Sequence, residues 1–291
     1  MTTHTDRRAP TPSDPWGPRL VDTPSRLVFQ TMGTVVSLDV PTGLDARQRD
    51  AFQGIFADLD ARFSLYRNGS EATAVSTGRL AVTRSSEAFR AAFDVAQEWY
   101  VRTDGAFTPY PPVGGMDLGG VVKGRAIRAA GELLDHWGVA SWCLDAGGDV
   151  LVRNAPTGSP WVIGIVDPFD RDQLLTKVLL DGHPYRALAT SGVAERGEHI
   201  WRVPGADNVV QASVLADDIV TADVLATAVV AGGQATMQHV VADQAALGHP
   251  VEVLSVGQDH LMTGTPGFAD IITAPGSRVD GEHRFRSGRR G

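Results

Sequence analysis

Three short stretches combine side chains and backbone that could carry chemistry. Met116-Asp117-Leu118-Gly119-Gly120-Val121-Val122-Lys123-Gly124 opens an expected helix with an acid and two glycines. Glycine lets a ligand approach the main chain, and the first-turn N–H groups of a helix point outward. Such a junction takes a phosphate or offers a carbonyl to a cation. An ordinary loop-to-helix transition looks the same, and the spacing is neither that of a P-loop nor that of a dinucleotide fingerprint. In Thr221 to Thr227, Asp223 and Thr227 are four residues apart and share a helix face. A carboxylate and a hydroxyl so placed suit an oxygen-seeking ion such as Mg²⁺; an acid decorating the helix start beside a packed threonine is the plain alternative. Ala189-Thr190-Ser191-Gly192-Val193 ends a strand in small hydroxylated residues, and Glu198-His199-Ile200 follow. His199 titrates near neutrality and suits a general base, although a loop histidine is more often merely exposed.

Three further stretches read by themselves as turns. Met32-Gly33-Thr34 marks a bulge or a close backbone approach. Phe63-Ser64-Leu65-Tyr66, with Ser70-Glu71 beyond it, ends the first helix, and Asp104-Gly105-Ala106-Phe107-Thr108-Pro109 follows the second.

The elements that must position these groups alternate along the chain. Leu27 to Val40 has strand composition broken at Gly33. Phe52, Ile55, Phe56, Leu59 and Phe63 recur at helical spacing and predict a helix over 46–63. A second helix is expected over 86–102, striped by Phe89, Phe93, Ala96 and Tyr100. A third is expected over 120–137, striped by Val122, Ala126, Ala129, Leu133 and Trp137, with Gly138 as its stop. Strands are expected at 142–146, 150–153, 161–166, 174–180, 185–190 and 211–216, with Gly147-Gly148 turning the first pair. A helix over 221–231 follows, and segments 251–256 and 267–273 would close the sheet. Strand meanders beside separate helices give an α+β fold with antiparallel sheet.

The bulk numbers narrow the function classes. The 291 residues are 43% hydrophobic and 21% charged, near the globular average, with a net charge of -8. That charge argues against nucleic-acid or anionic-membrane partners. The one cysteine, Cys143, excludes an internal disulfide and a cysteine-based zinc site. No membrane span of about 18 apolar residues is expected. Met1 to Pro18 lacks the apolar core of a signal peptide, so a cytoplasmic location is expected. Residues 1–26 read as a flexible arm, 27–274 as one domain and 275–291 as a basic tail.

Taken in order, these stretches resemble the ApbE family, the FAD:protein FMN transferases. The resemblance rests on Met32-Gly33-Thr34, Ser64 and Tyr66 with Ser70-Glu71, Gly105 to Pro109 and Asp117 to Gly124. It continues through Ala146-Gly147-Gly148-Asp149, Ala189 to Gly192, His199-Ile200 and Ala222 to Thr227. Each match is short; their order across residues 27–235 is what makes them specific. The resemblance implies an ApbE-like (T-fold-like) antiparallel sheet with flanking helices, in two lobes with the FAD site between them. It implies FAD as substrate, held by Met32, Tyr66, Ala106, Phe107, Thr108, Asp117, Lys123 and Ile200. It implies Mg²⁺ on the Gly120 carbonyl, Asp223 and Thr227, with His199 as the catalytic residue. The partner implied is an acceptor flavoprotein whose Thr or Ser hydroxyl takes FMN while AMP leaves.

The chain departs from the family pattern twice. Members usually carry tens of residues between the motifs that match Pro109 and Asp117; here only Tyr110 to Met116 intervene. The H-I of members is usually followed by D-P-x-T-G; here Ile200 is followed by Trp201-Arg202-Val203-Pro204-Gly205. FAD binding without transfer, and FAD cleavage by water to FMN and AMP, therefore stand beside FMN transfer as readings of the sequence.

Overall fold

The computed structural model describes residues 23, 25–156, 160–181, 184–192, 200–273 and 284–285. Most of the expected arm and tail lies outside them, as does His199. The fold is mixed helix and antiparallel sheet, as the sequence predicts. The chain begins with a hairpin, β1 (Arg26–Thr31) and β2 (Thr34–Asp39), followed by α1 (Ala46–Phe63), α2 (Glu71–Ser76), α3 (Glu87–Arg102) and α4 (Gly119–His136). Strands β3 (Trp142–Ala146), β4 (Asp149–Arg153), β5 (Trp161–Val166), β6 (Leu174–Leu180), β7 (Ala187–Gly192) and β8 (Val209–Ala216) come next. Then follow α5 (Ile219–Ala246), β9 (Glu252–Gly257), β10 (Met262–Gly264), α6 (Pro266–Ile271), β11 (Ile272–Thr273) and β12 (Arg284–Phe285).

Eight strands form one sheet in the order β1-β2-β3-β4-β7-β8-β9-β10, every neighbour antiparallel. A second sheet, β11-β6-β5-β12, covers one of its faces. The alternation of side chains along each strand divides two cores. Leu144, Leu151, Ala187, Ala189, Val214 and Ala216 face the helices. Their neighbours Cys143, Val150, Val152, Leu188 and Leu215 face the small sheet, against Trp161, Ile163, Val178 and Phe268. Because both faces are covered, β3 and β4 are buried almost continuously rather than at alternate positions.

The helices start and stop where the sequence signals it. Asp45 caps α1 in a capping box with Gln48, Ser86 caps α3, and Gly138 (φ 70°) follows α4. The buried faces are shifted from the expected stripes. On α3, Ala92 and Trp99 are buried, not Phe93 and Tyr100. On α4 the buried set is Val121, Val122, Ala126, Ile127, Ala130 and Leu134, while Ala129, Leu133 and Trp137 are only partly covered. Glycines explain the shift on α4. A Cβ on Gly124 would sit 2.9 Å from the Val220 backbone of α5, and one on Gly131 would sit 2.8 Å from Trp142. The helix thus buries the side on which it has least bulk.

Helix α5 breaks at Gly233 (φ 71°), so the expected 221–231 helix is its first segment. It is long and apolar enough to cross a membrane, but 72% of its most apolar window is buried in this fold. The expected strand at 267–273 is instead the short helix α6 followed by β11, which joins the small sheet. Pro266 at the helix start favours the helix.

Candidate functional site

The hairpin β1–β2 turns through Met32 (φ 50°) and Gly33 (φ 70°), a two-residue turn with both φ positive. Glycine at 33 serves the conformation, since a Cβ there would meet nothing within 4 Å. The turn sets Met32 on the wall of a cleft of about 550 Å³. Beyond α1, the Ser70 hydroxyl donates to the Ser64 carbonyl (2.7 Å) and accepts from the Thr73 N–H as the cap of α2. That pinned loop carries Tyr66 to the cleft with its ring 99% exposed.

At the end of α3, the Thr103 hydroxyl donates to the Trp99 carbonyl (2.7 Å) and accepts from the Phe107 N–H (3.0 Å). Asp104 (φ 50°) and Gly105 (φ 78°) turn the chain, and Ala106 and Phe107 are buried beneath the start of α4. The Asp117 N–H donates to the Pro109 carbonyl (2.9 Å), closing the short segment 110–116 into a compact loop. The Met116 N–H donates to the Ser76 hydroxyl (3.0 Å), tying this loop to α2. Asp117 in turn accepts from the Gly119 N–H (2.7 Å), placing a negative charge at the helix N-terminus, where the dipole favours it.

Lys123 lies one turn further along α4 and forms ion pairs with Asp149 and, at 3.4 Å, with Asp223. Asp223 is 2% exposed and has one carboxylate oxygen, Oδ2, without a hydrogen-bond partner among the described residues. Burial pushes its carboxyl up to about 7, helped by the Asp149 charge and opposed by Lys123. Thr227 lies one turn beyond Asp223, its hydroxyl 3.0 Å from that of Ser191 at the end of β7. The neighbouring Thr190 hydroxyl pairs with Ser213 (2.8 Å).

All the described candidates line this one cleft: Met32, Tyr66, Ala106, Phe107, Thr108, Asp117, Gly120, Lys123, Ile200, Asp223 and Thr227. His199 lies outside the described residues, and Ile200 directly after it forms part of the wall. The residues after Ile200 grip the broken helix. Arg202 donates to the carbonyls of Val209 (2.7 Å) and Val230 (3.2 Å), and the Val203 N–H donates to the Ala231 carbonyl (2.9 Å). Gly233 allows this approach, because a Cβ there would lie 2.9 Å from the Asp207 nitrogen.

Three participants are absent from the sequence-derived site. Asp149 belongs to a recognised glycine-rich turn, but nothing in that turn reveals that its acid meets Lys123. Ser191 lies in the Ala189–Gly192 motif, but nothing in that motif gives it Thr227 as a partner. Trp201 lines the cleft where the family pattern has an acid, and the departure itself was the signal.

Among the described residues, no group of three or more His, Cys, Asp or Glu side chains is placed to hold a metal by itself. The donors at hand are one buried carboxylate, a hydroxyl and main-chain carbonyls. That set fits Mg²⁺, which binds through one or two carboxylates and completes its shell with water and ligand phosphates. The unpartnered Asp223 oxygen is the specific observation in favour of such a cation.

The ApbE family model matches residues 110–248. The ApbE protein of Thermotoga maritima is 21% identical, with a TM-score of 0.68 over 84% of this chain and 98% of that one. The flavin transferase ApbE of Vibrio cholerae is 20% identical, with a TM-score of 0.67 over 84% and 98%. The apo flavinyl transferase ApbE of Pseudomonas stutzeri is 18% identical, with a TM-score of 0.65 over 85% and 97%. No curated protein matches the chain. These structures share the fold, and the ApbE family model spans the stretch that contributes Asp117, Gly120, Lys123, Asp223 and Thr227.

Proposed function

We propose that the chain is a Mg²⁺-dependent FAD:protein FMN transferase, moving FMN from FAD to a Thr or Ser hydroxyl of a target protein with release of AMP. The observation that carries this reading is the convergence of every described candidate on one cleft of about 550 Å³. That volume is within the usual range for small-molecule sites. Tyr66 and Met32 offer faces for a flavin ring, and the start of α4 faces the same space. Asp223, Thr227 and the Gly120 carbonyl would hold the cation. When bound, it would supply Lewis-acid neutralisation of charge at the pyrophosphate.

The remaining chemistry belongs to the chain. The acceptor hydroxyl attacks the phosphorus nearest the riboflavin, a new P–O bond forms, and the P–O bond to AMP breaks. His199, in the role the family resemblance implies, takes the hydroxyl proton. Ile200, directly after the histidine in sequence, is buried against the cleft, and Arg202 and Val203 beyond it are held in place by main-chain carbonyls. Trp201 lines the same cleft, and its ring would favour an acceptor hydroxyl over water by displacing solvent there.

The test is incubation of the purified protein with FAD and Mg²⁺, with and without a peptide bearing a Thr acceptor, followed by mass spectrometry. A peptide heavier by one FMN less water is the expected result. FMN and AMP with unlabelled peptide would replace the transferase reading by hydrolysis. Bound, uncleaved FAD would replace it by binding alone.

A further inference from the structure

Three charged side chains from three separate elements meet beside the cleft. Lys123 on α4 pairs with Asp149 at the start of β4 and with Asp223 on α5. The two carboxylates are 1% and 2% exposed, while the lysine side chain keeps 20% of its surface and lines the cleft. With all three ionised, the group carries a net charge of -1, and Asp223 Oδ2 has no hydrogen-bond partner among the described residues. Burying an uncompensated carboxylate is expensive, so the group is one positive charge short of balance. The lysine is a point charge on a flexible stem, and the cleft that it lines gives it room to move.

We propose that Lys123 is an exchangeable internal cation, which balances the buried Asp149–Asp223 pair when no metal is bound and yields Asp223 to an incoming divalent cation. This rests on the reading of Asp223 and Thr227 as the cation site. A divalent ion adds two positive charges where one is missing, and the resulting excess drives the ammonium away from Asp223. The lysine therefore competes with the metal for one carboxylate, and the competition sets the metal affinity of the flavin-free protein.

Charge-matched variants separate this competition from simple electrostatics. Mn²⁺ binding to flavin-free protein is measured by calorimetry for wild type, Asp223→Asn, Lys123→Met and the double variant Asp149→Asn/Lys123→Met. The double variant leaves Asp223 as the one charge of the group, a net of -1 as in wild type, but without the competitor. It should bind Mn²⁺ at least roughly fivefold tighter than wild type, the low end of ordinary site coupling. Lys123→Met, with a net charge of -2, should bind tighter still. If Lys123→Met fails to fold, the double variant decides, since it carries no excess charge. Equal or weaker binding in the double variant overturns the exchange. Asp223→Asn that binds Mn²⁺ as well as wild type removes the cation site itself. Loss of binding in Asp223→Asn without a gain in the double variant removes only the role of Lys123.

Discussion

Gly120 faces Phe107 so closely that a Cβ at 120 would lie 2.7 Å from Phe107 Cε2 and 3.1 Å from its Cζ. The ring is 3% exposed and its backbone is anchored through Thr103, so it cannot retreat far. The start of α4 thus rests on an aromatic floor, and the glycine is what lets the main chain come down to it. Gly120→Ala should lift this helix end, at about 1–3 kcal/mol of stability, the usual effect of overpacking. The Gly120 carbonyl would move with it. Mg²⁺-dependent FAD binding should weaken more than metal-free binding, as read by calorimetry with and without Mg²⁺. Equal weakening in both conditions would place Gly120 outside the cation shell.

Asp223 gives a pH signature in the metal-free protein. Its carboxyl is raised to about 7 in the fold from an ordinary value near 4. A raised folded-state value means that the folded form holds the proton more tightly. The neutral carboxyl is accommodated below pH about 4, and stability is lost progressively as the pH rises toward about 7. The full effect is at most about 4 kcal/mol. Asp223→Asn should remove this dependence, so the variant should melt above wild type by an amount that grows from pH 5 to pH 8. With Mg²⁺ the order should reverse at pH 8, because the ion needs the ionised carboxylate that asparagine lacks. A constant melting difference across this range would contradict the assignment.

Arg202 ties down the stretch that departs from the family pattern after Ile200. Its guanidinium spans the carbonyls of Val209 and Val230, joining the start of β8 to the α5 break. Arg202→Met should cost about 1–3 kcal/mol by leaving these carbonyls unpaired. It should also slow turnover more than it weakens FAD binding if His199, just before this stretch in sequence, has the catalytic role proposed for it. Arg202→Lys should rescue poorly, since one ammonium lacks the planar fork that reaches both oxygens. Full rescue by lysine would mean that charge alone is at work.

Much of this architecture was legible because it depends on local signals. The 46–63 helix follows from its apolar period, and its start from the Asp45 and Gln48 pairing. The candidate residues come from short ordered motifs, and the described ones line one cleft because strand ends and helix starts meet there. What escaped notice is non-local. The buried faces of α3 and α4 follow neighbouring bulk, such as Trp142 against Gly131, which no single-helix pattern contains. The 267–273 segment has strand composition, but with Pro266 at its start most of it forms a short helix. Asp149 looked like part of a turn because its partner, Lys123, lies on a different element.

Tyr66 tests the flavin wall with least ambiguity. Its ring is 99% exposed, and its loop is held by Ser64 and Ser70 rather than by the ring itself. Removing the ring should therefore leave folding almost untouched, within about 0.5 kcal/mol. Stacking on a flat ligand ring is worth about 0.5–1.5 kcal/mol beyond the area it covers. Tyr66→Ala should then weaken FAD by roughly tenfold, once the lost area is added. Tyr66→Phe should keep nearly all the affinity, since the ring face and not the hydroxyl makes the contact. Titration of FAD fluorescence measures both. ADP, which lacks the flavin ring, should bind the two variants and wild type alike. Equal loss of ADP and FAD in Tyr66→Ala would put the tyrosine against the adenosine diphosphate portion instead and reverse the orientation of FAD in the cleft.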